Sequence, residues 1–168
     1  RLVNEIDDEY FILMAEDFYF VEKIDTDFLE DIMLLKFDRT SLQSKLDGYE
    51  NTSEFFASSN TGYKIYKLQN TEQYLCSLEA SIWRRAFMRE YIGWNRVQDG
   101  TDRDIEVHMS DLARADNPIV LVPEKRVVNY EDALRGGQSR IKFEDSRMYI
   151  LKQGGDGADI WVDSGIDI

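Results

Sequence analysis

The sequence predicts an α+β fold: a mixed or mainly antiparallel sheet packed on one long central helix, with short accessory helices. Three observations lead there. Short apolar runs with strand-like alternation recur along the chain, residues 71–92 carry apolar side chains at helical spacing, and only two prolines, Pro118 and Pro123, interrupt 168 residues. That length suits a single domain, 1–168, with an acidic N-terminal portion at 1–31 and a weak subdivision at 97–104. Hydrophobic residues at 43% and aromatics at 12% supply enough apolar surface for a core, which argues against global disorder.

Residues 9–24, EYFILMAEDFYFVEKI, predict two strands around a turn at 15–17, because the apolar runs are short, bounded by acids and rich in aromatics. TDFLEDIMLLK (26–36) predicts a helix. Asp27, Glu30 and Asp31 suit its positive end, Lys36 its negative end, and Phe28, Leu29, Ile32, Met33 and Leu35 its buried face. Thr40 and Gln43 have capping-box spacing, so a short helix is expected over 40–47. Residues 48–62 read as a loop in which Phe55 and Phe56 must pack somewhere, and GYKIYKLQ (62–69) alternates as a half-buried strand. The long helix is expected from Thr71 to Ile92, stopped by Gly93. Leu75, Leu78, Ile82 and Ala86 form one flank and Trp83, Phe87 and Tyr91 the other. A loop at 97–104 and a strand at 105–109 precede an apolar strand within 117–128. A short helix follows at 128–137, capped by Asn129 and stopped by Gly136, and then three strands, SRIKFED, RMYILKQ and ADIWVDSG.

Charge is unevenly spread. The net charge is −13, and residues 1–31 alone hold 11 acids against Arg1 and Lys23. Such a chain repels phosphate, so direct nucleic-acid binding is disfavoured. One local exception is WRRAFMREYIGWNR (83–96), where Arg84, Arg85, Arg89 and Arg96 face only Glu90, interleaved with Trp83, Phe87, Tyr91 and Trp94. Basic residues among aromatics can hold single strands by stacking. The helical spacing of Trp83, Phe87 and Tyr91 favours a buried stripe, with the arginines at its solvated edge or paired with the acidic half.

GGDGADIWV (154–162) matches G-G-x-G-x-D-x-U-x and resembles the repeats-in-toxin family. The resemblance implies calcium held by the glycine-turn carbonyls and by acids such as Asp156 and Asp159. That mechanism shares each ion between stacked turns. GGQSRIKFE (136–144) has no Asp at the ligand position, and DSRMYILKQ (145–153) has no glycine. A tight turn joining the last two strands as a hairpin needs no metal. ARADNPIVLV (113–122) resembles the run entering the second strand of PAS sensor domains, which implies ligand helices over the next few dozen residues. Only about a dozen residues separate Pro123 from Gly136, and no flavin-type cysteine motif is present.

Recognisable catalytic chemistry is scarce. Cys76 is the only cysteine and His108 the only histidine, so no internal disulfide can form and an intrachain Cys/His zinc site is excluded. Cys76 reads as a small buried hydrophobe. Ser110 and Asp111 lie beside His108 in sequence, unlike the partners of a hydrolytic triad. No Walker A loop, G-x-G-x-x-G, G-x-S-x-G or acid-x-Lys motif occurs. Asp102, Asp104 and Glu106, spaced by two, would share one face of a strand and with Asp99 could hold magnesium.

The reading is therefore a non-enzymatic protein-interaction or assembly subunit, of the kind found in phage, viral or other large complexes, acting through a protein partner or self-association. Asp7, Asp8, Glu9, Glu16 and Asp17 on one side and Arg84, Arg85 and Arg89 on the other are its candidate interaction residues. One alternative is an acidic nucleic-acid mimic that inhibits a nucleic-acid enzyme. Another is a metal-dependent hydrolase using the 99–106 carboxylates. No cofactor is required, calcium or magnesium being the metal alternatives. No transmembrane helix or signal peptide can be placed, and the lone Cys76 suits the cytoplasm or the interior of a virion or complex better than a secreted scaffold.

Overall fold

The computed structural model describes residues 5–14, 18–20, 24–45, 48–91, 102–128, 130–132, 134–135, 138–139, 141–144, 147–153 and 159–167. The fold is α+β, with a mixed six-stranded sheet and short helices. The chain forms two compact units, Arg1–Met14 with Thr26–Val127, and Ala15–Asp25 with Val128–Ile168.

In the first unit, β1 (Tyr10–Leu13), β3 (Arg39–Ser41), β4 (Ser53–Ser58), β5 (Lys64–Leu68), β6 (Ser81–Arg84) and β7 (Val120–Pro123) pair in the order β1-β6-β3-β7-β5-β4. Among the described residues only the β3–β7 pair is parallel, with Arg39 beside Val120 and Thr40 beside Leu121. The middle of this sheet is dry: every residue of β3 and β7 is buried, with Ser81, Ile82 and Trp83 of β6. That is why VLVP reads as an unbroken apolar run, since a strand covered on both faces has no solvent side to alternate with. Thr40 Oγ1 donates to the Leu121 carbonyl at 3.4 Å, which satisfies a hydroxyl placed between two strands.

Three helices are described: α1 (Thr26–Met33), α2 (Arg85–Tyr91) and α3 (Asp102–Ala113). Helix α1 buries Phe28 and Ile32, four apart, while Met33 remains exposed, so its apolar face is narrower than the sequence suggests. Asp31 accepts from the Thr61 backbone N–H at 2.7 Å and from Asn60 at 2.8 Å, tying α1 to the β4–β5 turn; these bonds hold its carboxyl below the usual range. One core cluster packs Cys76, Trp83, Phe87, Met88 and Tyr91 against Met109 and Ala113. A second joins Tyr49, Leu68 and Leu75 to Val120 and Val122.

The second unit contains β2 (Phe18–Phe20) paired with β8 (Tyr130–Asp132), a hairpin of β9 (Leu134–Arg135) and β10 (Gln138–Ser139), and an antiparallel meander of β11 (Ile141–Glu144), β12 (Arg147–Gln153) and β13 (Asp159–Asp167). Gln153 pairs with Asp159, so β12 and β13 form the expected hairpin around 154–158, which lies outside the described residues.

Several expectations are corrected. No long central helix exists among the described residues; the longest helix has 12 residues. Within 71–91 the chain makes turns, then β6, then α2. The helical spacing of Phe87 and Tyr91 is real, but Trp83 lies within β6, where Ser81 and Ile82 are also buried. Residues 105–109 are helical: Ile105, Met109 and Ala113 recur every four residues and pack on the core, which outweighs the alternation of Ile105, Val107 and Met109. Thr40 caps no helix, because it sits mid-sheet in β3. The supposed loop at 48–62 contains β4, and strands β8 and β9 replace the helix expected over 128–137, where Asn129 and Gly136 fall outside the described residues. The two strands expected within 9–24 exist as β1 and β2, but each pairs elsewhere, with β6 and β8.

Candidate functional site

The most polar interior region is built around Arg39. Register pairing sets Arg39 beside Trp83, and its guanidinium carbon lies 5.4 Å from the indole centroid. The side chain is fully buried, Nη1 donates to the Leu75 carbonyl at 3.5 Å, and Nε and Nη2 have no hydrogen-bond partner among the described residues. A guanidinium stays charged in a protein, and a buried unpaired charge is costly. Compensation comes from carboxylates nearby.

Those carboxylates line a cavity of about 570 Å³ formed by Gly48, Tyr49, Glu72, Tyr74, Ser77, Glu79 and Glu106. Helix α3 supplies Glu106, whose carboxylate accepts from the Leu78 N–H and from Ser77 Oγ at 3.1 Å. Burial pushes the Glu79 carboxyl above the usual carboxylate range; Arg39 pulls it back and Glu106 adds to the rise. Stability from the neutral form of Glu79 is therefore present in acid and lost as pH rises through its raised pKa. Burial also raises Tyr49, again against the pull of Arg39. The cavity can attract a cation. Among the described residues, however, no group of three acid, His or Cys side chains could hold a metal ion.

Among the described residues, Cys76 and the neighbours of His108 are not arranged as an activated nucleophile. Burial pushes the Cys76 thiol up to about 11, so it stays protonated near neutrality. His108 sits half-buried on α3 with Nε2 unpartnered among the described residues; Ser110 Oγ instead donates to the Glu106 carbonyl at 2.7 Å, and Asp111 pairs with Arg114. The triad grouping of these neighbours is not formed. The strand argument for Asp102, Asp104 and Glu106 also falls, because these positions lie on helix α3 and not on a strand; Asp99 lies outside the described residues.

Among the described residues, the acids and arginines singled out by charge meet only at backbone carbonyls and along the wall of one cavity. Asp7, Asp8 and Glu9 are exposed. Arg85 donates to the Ile6 carbonyl through its side chain and to the Glu9 carbonyl through its backbone N–H at 2.8 Å, and Arg84 pairs with Asp38. A cavity of about 380 Å³ lies here, lined by Glu9, Tyr10, Lys36, Phe37, Asp38, Arg84 and Ile119. Arg89 is exposed. Trp83, Phe87 and Tyr91 form the expected buried stripe, with centroids 6.1 and 4.9 Å apart, so they offer no open stacking surface. Glu16, Asp17, Trp94, Arg96 and Asp156 lie outside the described residues, and Asp159 is placed only as the backbone partner of Gln153.

Sequence reasoning missed Arg39, Tyr49, Glu72 and Glu79. One signal was available: Arg39 is the only arginine between Arg1 and Arg84. No helix among the described residues is long and apolar enough to cross a membrane. No family model, curated protein or solved structure matches the chain.

Proposed function

We propose that the protein is a non-enzymatic interaction or assembly subunit that binds a protein partner or a second copy of itself through its exterior. The observation that carries this reading is aromatic surface left in water on strands at sheet edges. On β4, Phe55 is 60% and Phe56 40% exposed; on β13, Ile160, Trp161 and Val162 are 50%, 41% and 36% exposed. Apolar side chains grouped on an edge strand mark interaction sites far more often than scattered ones do. The test is to isolate the chain from its native source and identify what comes with it. A stoichiometric protein partner that is lost on Phe55→Ser or Trp161→Ser, in a chain that still melts normally, supports the reading. Partner binding indifferent to both edges counts against it.

The exposed Asp7, Asp8 and Glu9 favour a second reading, an acidic mimic of nucleic acid that inhibits a nucleic-acid enzyme. It requires salt-sensitive binding that disappears when these three are changed to Asn and Gln.

A further inference from the structure

Strand β4 closes one end of the six-stranded sheet, and among the described residues it pairs only with β5. Regular alternation would send Phe55 and Phe56 to opposite faces. The register instead slips here: Phe55 pairs with Tyr66 and Ala57 with Ile65, so Phe56 is an extra residue with no opposite number on β5. A bulge of this kind re-aims a side chain and interrupts the main-chain ladder. Both rings stand in water. Phe55 meets Tyr66 edge-on at 6.1 Å, and the Lys45 ammonium lies 3.9 Å over the Tyr66 ring. What this edge offers is a pair of aromatic rings rather than a ladder to be continued.

Charge selects the occupant. The chain carries −13, so most of its exterior repels an identical chain. Strand β1, at the other end of the sheet, follows the exposed Asp7, Asp8 and Glu9. The stretch NTSEFFASSNTGY (51–63) instead holds one acid in 13 residues, and that acid, Glu54, stands in register with Lys67. With Lys45 over Tyr66 as well, the aromatic patch carries no excess of negative charge. A second copy is turned away by the acids elsewhere and can approach here. A two-fold contact presents the same patch from both sides, so it needs a surface that does not repel itself. We infer that β4 is the contact face of a homodimer, in which Phe55 and Phe56 of one copy pack against those of a second. The inference rests on the interaction reading above and chooses between its two kinds of partner.

Sedimentation of the purified full chain over a concentration series tests it. The mass rises from one chain toward two with concentration, and added salt tightens the dimer, because salt screens the repulsion between two chains of −13 and leaves the ring contact in place. Phe55→Ser weakens the dimer at least about tenfold without shifting the melt. Ile12→Ser, an exposed position on β1, leaves it intact. Should Phe55→Ser melt abnormally, Glu54→Cys carries the test. The parent's single thiol, Cys76, is buried, so a short bismaleimide links two copies of that variant where β4 meets β4 and leaves the parent unlinked. A monomer at every concentration, a dimer that survives Phe55→Ser, dissociates in salt or is lost on Ile12→Ser, or a Glu54→Cys chain that does not cross-link overturns the assignment. A monomeric chain whose native partner is lost on Phe55→Ser loses the second copy as occupant and keeps the interaction reading; a monomeric chain with no partner loses both.

Discussion

In the six-stranded sheet, β3 and β7 are buried along their whole length, whereas in the three-stranded meander burial alternates: Met148 and Ile150 of β12 are buried, while Tyr149 and Leu151 are partly exposed. One sheet consumes its apolar surface internally. The other leaves Ile160, Trp161 and Val162 in water on its last strand. The same residue type thus has opposite duties, Trp83 filling a core and Trp161 standing on an edge.

The sharpest break of that contrast is to truncate each indole. Trp83→Ala removes a fully buried ring and should cost about 3–5 kcal/mol in urea unfolding. A loss of under about 1 kcal/mol would mean the sheet centre is less tightly packed than its burial implies. Next in size is Asp38→Ala. Asp38 accepts from Arg84 and from the Ile119 N–H at 2.8 Å at the start of β7, so its loss leaves donors unpaired and should cost about 1–3 kcal/mol by thermal melt.

Cys76 gives a pH-dependent test of the dry interior. Its thiol ionises near 9.0 when unfolded and at about 11 when folded. Above the lower value the unfolded chain holds fewer protons than the folded one, so stability falls as pH rises through that window. Cys76→Ala should flatten the decline relative to the parent in urea titrations. Parallel curves for the two proteins would contradict the burial. Smallest is Trp161→Ala, within about 0.5 kcal/mol, since an exposed side chain leaves no cavity.

These contrasts also explain what the sequence could reveal. β5, β7 and the β12–β13 hairpin were legible because alternation, an unbroken apolar run and a glycine turn are local signals. The β6–α2 junction was not: Trp83, Phe87 and Tyr91 keep helical spacing although Trp83 belongs to a strand, and only pairing with β1 and β3 decides between the two. The capping-box spacing of Thr40 and Gln43 failed for the same reason, since neighbouring strands overrode a local preference. Of the polar cavity almost nothing was legible. Tyr49, Glu72, Glu79 and Glu106 come from distant segments and meet over Arg39 only after the sheet forms. In an acid-rich chain no spacing marks three glutamates out of 33 acids.

The central claim, that this chain works by associating through its exterior, is tested most directly by its mass in solution. Light scattering on the chain as isolated from its native source should show a species heavier than the 19.7 kDa chain at every salt concentration, falling toward that mass on Phe55→Ser or Trp161→Ser. A particle that stays at 19.7 kDa at every salt concentration, with no second protein present, would contradict it.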